Sequence, residues 1–159
     1  MKIPVFLISG FHMVKKKDDI DNIIKDQKSG VEMTSNEQII KKYWGFFNDA
    51  DFDAASKLMV SDAVVWWPTT REVFKGKDKF IFVQKKYPGK WKISLEKIFS
   101  KDDIVITIVN VEAEDKSISF YTTSIFKMEN GMICEIHEYW SDVGDPPEWR
   151  IKQGLSERY

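Results

Sequence analysis

Glu138, Glu112 and Tyr43 are the side chains of this chain best suited to proton chemistry. A carboxyl held among apolar and aromatic groups loses hydration, so its pKa rises and it can serve as acid or base near neutrality. Tyr43 can donate its hydroxyl to an oxygen on which charge develops. Each also has a plainer reading. Glu138 and Glu112 can be solvated or Lys-paired rim acids, and Tyr43 a helix-face aromatic joining core to surface. Trp66, Trp67, Asn110, Tyr121, Thr123 and Trp140 are the candidate ligand contacts around them. Neighbours on a strand point opposite ways, so one of Trp66 and Trp67 should face a pocket. His137 falls on the opposite side of its strand from Glu138 and reads as an interface or rim residue. Arg71 could pair a ligand carboxylate, although a surface ion pair with Glu72 or Asp78 is the simpler reading. Cys134 reads as a small buried apolar residue. No phosphate loop, metal-spaced His/Cys set or nucleophile elbow occurs, so no cofactor and no metal is expected.

These residues need an element framework. The 159 residues are 43% apolar, enough for one domain with its own core. The formal net charge of −1 offers no basic excess for nucleic acid or an anionic membrane surface. Cys134 is the single cysteine, which excludes an internal disulfide. No apolar run approaches the roughly 20 residues that span a bilayer. A cytoplasmic protein is expected. Residues 1–33 differ from the rest: apolar Ile3 to Phe11, then Lys15, Lys16 and Lys17, then a polar stretch. They read as a loosely attached arm or an over-called start, with Met33 as the true start. The alternative is a short strand and helix packed on the domain or a partner. The domain proper is expected over 34–149, with a tail over 150–159.

From Thr34 the pattern sharpens. Ser35 and Gln38 offer a capping box, and Ile39/Ile40, Tyr43/Trp44 and Phe47 recur at helical spacing to about Asn48. A second helix begins near Asp51 or Asp53. A buried-type strand over 62–67 ends at Pro68, and 71–74 can pair back on it. A third helix is expected over 77–86, stopped by Pro88-Gly89. Four strands follow, over 91–99, 104–114, 117–127 and 132–142, joined by short connections that make them antiparallel neighbours. Asn130-Gly131 is the strongest hairpin signal. Pro146-Pro147 argues against helix or central strand over 145–150, and Trp149 could tuck that segment over a pocket mouth or a partner.

Taking Asp115-Lys116 as a turn places Ile106 opposite Ile125, Ile108 opposite Thr123, Asn110 opposite Tyr121 and Glu112 opposite Ser119. Regular alternation around Asn130-Gly131 then adds Cys134, Ile136, Glu138, Trp140 and Asp142 to that face. The face grades from apolar to polar, which suits a pocket under helices for a small, mostly apolar molecule with a polar handle. The other face holds Val105, Thr107, Val109, Val111, Phe120, Thr122, Phe126, Ile133, His137 and Tyr139. It is also largely apolar and needs its own cover, so a homodimer through that outer face is expected.

Three segments carry a resemblance to the nuclear-transport-factor-2-like superfamily, which includes the SnoaL-like and ketosteroid-isomerase-like domains. They are Tyr43-Trp44-Gly45-Phe46-Phe47-Asn48-Asp49-Ala50-Asp51, then Asp62-Ala63-Val64-Val65-Trp66-Trp67-Pro68 with Phe74-Lys75-Gly76-Lys77, and Gly131-Met132-Ile133 running to Tyr139-Trp140-Ser141-Asp142-Val143. The resemblance implies an α+β cone-shaped roll: three N-terminal helices packed on the concave face of a curved, mostly antiparallel sheet, often dimeric. It also implies what is missing. Tyr43 matches the family's oxyanion tyrosine, but Trp67 stands where an isomerase base would be, and about Thr123 where the second acid would be. No Arg lies in the four long strands, so the Asp-Arg-Asp set of epoxide-hydrolase members is not retained either. Three functions therefore compete: a SnoaL-like small-molecule-binding domain, an acid/base enzyme of isomerase, dehydratase or cyclase type using Glu138 and Tyr43, and a dimeric interaction module with a filled core.

Overall fold

The computed structural model describes residues 33–159, so the expectations for the N-terminal arm lie outside the described residues. Helix α1, Ser35–Asn48, buries Ile40, Tyr43, Trp44 and Phe47, one face of a 3.6-residue repeat. Its cap sits one residue earlier than the sequence suggests. Thr34 accepts from the Glu37 amide at 3.2 Å, and the Glu37 carboxylate accepts from the Thr34 amide at 3.0 Å. A tertiary tie favours this pair over Ser35 and Gln38: Ser100 of the sheet bonds to both Thr34 and Glu37. Helix α2, Phe52–Ser56, is capped by Asp51, and α3 spans Lys77–Lys86 as expected.

The strands are β1 Met59–Trp67, β2 Glu72–Lys75, β3 Trp91–Lys101, β4 Ile104–Ala113, β5 Ser119–Glu129 and β6 Met132–Asp142. They form one mixed, six-stranded, unclosed sheet in the order β2-β1-β6-β5-β4-β3. Only β1 and β6 run parallel; the other neighbours are antiparallel. The fold is thus α+β, with helices preceding the long strands. A last short helix, α4 Glu148–Lys152, corrects the expectation for that segment. Pro147 precedes its first turn, where a missing N–H costs nothing. Trp149 on it is 60% exposed.

The β4–β5 register is the expected one, with Asn110 opposite Tyr121 and Glu112 opposite Ser119. The connection comprises residues 114–118 rather than two, and the register about Asp115-Lys116 is unaltered. The β5–β6 register is not as expected. The hairpin closes with Glu129 opposite Met132, and Asn130 and Gly131 both adopt positive φ (51° and 75°), as a tight Asn-Gly turn requires. Two steps later the ladder slips: Met128 pairs with Ile133, but Lys127 pairs with Glu135. Cys134 is the extra residue of a bulge. Beyond it every β6 side chain has changed face relative to strict alternation.

The concave face is therefore Val105, Thr107, Val109 and Val111 of β4 and Thr122, Ser124 and Phe126 of β5, all buried, with Ile136 and Glu138 of β6. The face assigned above to a partner is, on β4 and β5, the one under the helices. Tyr43, Trp44, Phe47 and Phe126 pack ring to ring within it, with centroids 4.5–6.0 Å apart. Trp44 donates its indole N–H to Thr107 at 3.2 Å, tying α1 to the sheet.

Thr34→Ala removes one acceptor of the capping box and should lower the urea midpoint with unchanged slope, a loss of about 1 kcal/mol.

Candidate functional site

Glu138 lies on β6 with 2% of its surface exposed. Oε2 accepts the Trp67 indole N–H at 2.6 Å and the Trp140 indole N–H at 3.3 Å. Trp67 reaches it because β1 runs beside β6, with Trp66 opposite His137, so the next pair inward is Trp67 and Glu138. Trp140 reaches it from two residues along the same strand face. Both donors converge on one oxygen, and Oε1 accepts no hydrogen bond from the described side chains. No Lys, Arg or His among the described residues forms an ion pair with Glu138. Burial pushes its pKa up to about 7, and the two indole bonds hold it from rising further.

Glu138, Trp67 and Trp140 stand in the wall of a cleft of about 1160 Å³. One side of the cleft is an aromatic ribbon. Tyr87, Trp91, Phe120 and Trp140 follow one another at centroid spacings of 6.1, 5.7 and 6.4 Å. The helix side brings Trp44, Phe47 and Phe52. Thr69, Thr70, Lys90 and Glu114 mark the exposed mouth. The cavity is mostly apolar with one deep carboxyl, the arrangement expected of a small-molecule site.

The other sequence candidates divide. Trp67 and Trp140 are inside, as the pocket reading required. Trp66 is outside, 38% exposed and stacked on His137 at 5.8 Å. Tyr121 and Thr123 are exposed on the outer face, because they pair with Ser141 and Tyr139 rather than with inward β6 residues. Tyr121 donates its hydroxyl to Glu96 on that face. Asn110 also stands at an outer position, its amide bonded to Ser119 and to the Phe120 carbonyl. Glu112 shares that parity but borders the cleft at its rim. The corrections to Asn110, Tyr121 and Thr123 have one physical origin, the Cys134 bulge.

Tyr43 is fully buried, but it is not in the cleft wall; its neighbours Trp44 and Phe47 are. Its hydroxyl has no hydrogen-bond partner among the described residues. Burial, with the nearby Glu138 charge, raises its pKa well above the ordinary phenol value. Cys134 is only partly buried, and its thiol donates to the Lys127 carbonyl across the bulge. Sequence reasoning did not select Trp91 and Phe120. Phe120 alternates with Tyr121, so the correct face assignment alone identifies it. Trp91 pairs with Ala113 at the end of β4, next to Val111 and Phe120 of the same face.

Residues 40–136 match the SnoaL-like domain model. The chain belongs to the SnoaL-like domain family. The matched stretch ends two residues before Glu138, so the family match itself does not carry the two-indole carboxyl. No functionally curated protein matches the chain. Solved structures do. A proposed ketosteroid isomerase from Kribbella flavida aligns with TM-score 0.69 at 18% identity, over 79% of this chain and 90% of its own. An NTF-2-like protein of unknown function from Burkholderia xenovorans gives 0.67 at 22% identity, over 79% and 95%. A proposed SnoaL-like polyketide cyclase from Shewanella putrefaciens gives 0.60 at 14%, over 69% and 91%. At these identities the likeness is one of fold. No helix among the described residues is long and apolar enough to cross a membrane.

The raised pKa has a stability consequence. The folded state binds the Glu138 proton more tightly than the unfolded chain, whose carboxyl titrates near 4.5. The parent is therefore most stable below about pH 4.5 relative to a neutral isostere, and loses that advantage as pH rises to about 7. Glu138→Gln should gain on the parent by about 3 kcal/mol between pH 4 and pH 8. Urea unfolding of both proteins at the two pH values measures the difference, and parallel pH profiles would show an ordinary carboxyl.

Proposed function

We propose that this SnoaL-like domain binds a small, largely apolar molecule in the aromatic cleft, with Glu138 holding its polar handle. The observation that carries the reading is the buried Glu138 carboxyl, one oxygen clamped by Trp67 and Trp140, in the wall of a roomy apolar cavity. A carboxyl so deep costs several kcal/mol to ionise without a partner, and a rim residue would need no such clamp. The cleft volume argues against a module with a filled core.

A second reading keeps the same residues: Glu138 as the acid or base of an isomerase, dehydratase or cyclase. Its pKa of about 7 suits proton transfer near neutrality. Tyr43 contributes there only as the buried neighbour of Glu138, because it does not line the cleft. Exchange of α-hydrogens of a bound ketone with deuterated solvent, abolished in Glu138→Gln, would favour chemistry over binding alone.

The protein also pairs with a second copy through the outer face. A row of side chains crosses all six strands there: Val73, Trp66, His137, Ile125, Ile106 and Phe99, each opposite the next in register. Trp66, Ile106, Phe99 and Val73 are 37–39% exposed. Such a largely apolar band, interrupted by His137 and its Glu135 partner, suits a two-fold contact between sheets.

Native mass spectrometry of protein purified from its host examines both statements. A dimer mass is expected, with a retained molecule lost in Trp140→Ala. A monomer at micromolar concentration would contradict the sheet contact, and a ligand retained equally by Trp140→Ala would move the site elsewhere.

A further inference from the structure

The binding reading leaves the handle unnamed, and the surroundings of Glu138 restrict it. Among the described residues the carboxyl has no cationic partner. Packed around it are Trp67 from β1, Trp140 from β6, Ser124 opposite it on β5, and Tyr43 from α1, the one other ionisable group beside it. The charged groups lining the same cleft are exposed or half-buried and do not bond to it. They include Asp49 after α1, Lys85 on α3, Lys92 on β3, Glu112 on β4 and Asp142 on β6. Lys85 is already paired with Asp53 at 2.6 Å. A lysine could have supplied the missing charge; instead the neighbours are two indoles, a serine and a phenol.

The two indoles do more than solvate. Each donates its indole N–H to Oε2, and both residues line the cavity together with the carboxyl. Aromatic faces attract cations through their quadrupoles, most strongly for tryptophan and most when water is excluded. A buried anion and a ring-lined wall both prefer the same guest. A neutral ketone or alcohol would use the carboxyl but gain nothing electrostatic from the rings.

We infer that the polar handle of the ligand is an organic ammonium group, seated against Glu138 within the aromatic wall formed by Trp67, Trp140 and Phe120. This rests on the binding reading above and specifies its ligand class. The ammonium supplies the countercharge that the described residues do not, and the apolar remainder lies along the ribbon toward Trp91.

The sign of the pH dependence separates the possibilities. A permanent cation requires ionised Glu138, so its affinity should rise about tenfold per pH unit from pH 5 to about 7 and then level off, with proton release on binding. A neutral oxygen acceptor requires protonated Glu138 and should show the reverse. The probes are benzyltrimethylammonium, which does not titrate, its uncharged isostere neopentylbenzene, and benzylacetone as a neutral ketone. Binding is followed by tryptophan fluorescence and, for the cation, by calorimetry in buffers of different ionisation enthalpy. The cation should bind at least tenfold more tightly than its isostere at pH 8. Glu138→Gln, which replaces the carboxyl with a neutral group of the same shape, should remove that preference and the pH dependence. Preferential binding of the ketone, strengthening as pH falls, would overturn the ammonium inference and leave the pocket reading standing. Binding of the cation undiminished in Glu138→Gln would overturn the inference also. Failure of all three probes to bind at millimolar concentration would overturn both.

Discussion

The site depends on a single extra residue in β6. Without the bulge at Cys134, strict alternation from the Asn130-Gly131 turn would set Glu138 and Trp140 on the face of Tyr121 and Thr123, away from the helices. With it, they turn inward beside Ser124 and Thr122. Ile133 and Ile136, three residues apart, are then both buried, as no regular strand allows. The bulge thus lets one strand serve two purposes: it seals the apolar base of the cone near the hairpin, and it presents a carboxyl to the cleft farther along.

Orienting a carboxyl inward has a cost, and the neighbouring elements are arranged to contain it. The parallel β1–β6 pairing puts Trp67 in reach from the side, and Trp140 comes from the same strand, so both donors converge on Oε2. Two charge-assisted bonds offset part of the desolvation penalty, not all of it, and the carboxyl remains half-protonated near neutrality. The core beneath is braced by the aromatic packing of Tyr43, Trp44, Phe47 and Phe126 and by the Trp44–Thr107 bond. The site therefore sits on a rigid floor.

Much of this was legible in the sequence. Element order, the span of α3, the β4–β5 register and the α+β class follow from apolar periodicity and turn chemistry, and the roll from the family resemblance. Glu138 and Trp140 were selected, and one of the paired indoles was expected inside. What alternation could not show was the phase of β6 relative to β5. A bulge leaves no turn residue to mark it, and Cys134 looks like any small apolar strand residue. The spacing of Ile133 and Ile136 was the available signal. Assigning the wrong phase put Asn110, Tyr121 and Thr123 in the pocket and hid Phe120. The cap shifted for another reason: a tertiary contact, Ser100 with Thr34 and Glu37, decides between two adjacent capping boxes of similar local merit.

The two faces of the sheet also explain each other. Inward, hydroxyls and β-branched residues of β4 and β5 are fully buried, Thr107, Thr122 and Ser124 among them, each satisfied by a side-chain bond. Outward, the alternate positions are not a polar mirror of that pattern, as a one-sided antiparallel sheet would have. They hold Ile106, Ile108, Ile125, Trp66 and Tyr139 with the Glu135–His137 pair among them. Among the described residues the helices cover only one of these two faces. The same bulge that turns Glu138 inward turns His137 and Tyr139 outward, so β6 serves both the cleft and the outer band through one irregularity, while β1 and β3 carry register shifts of their own.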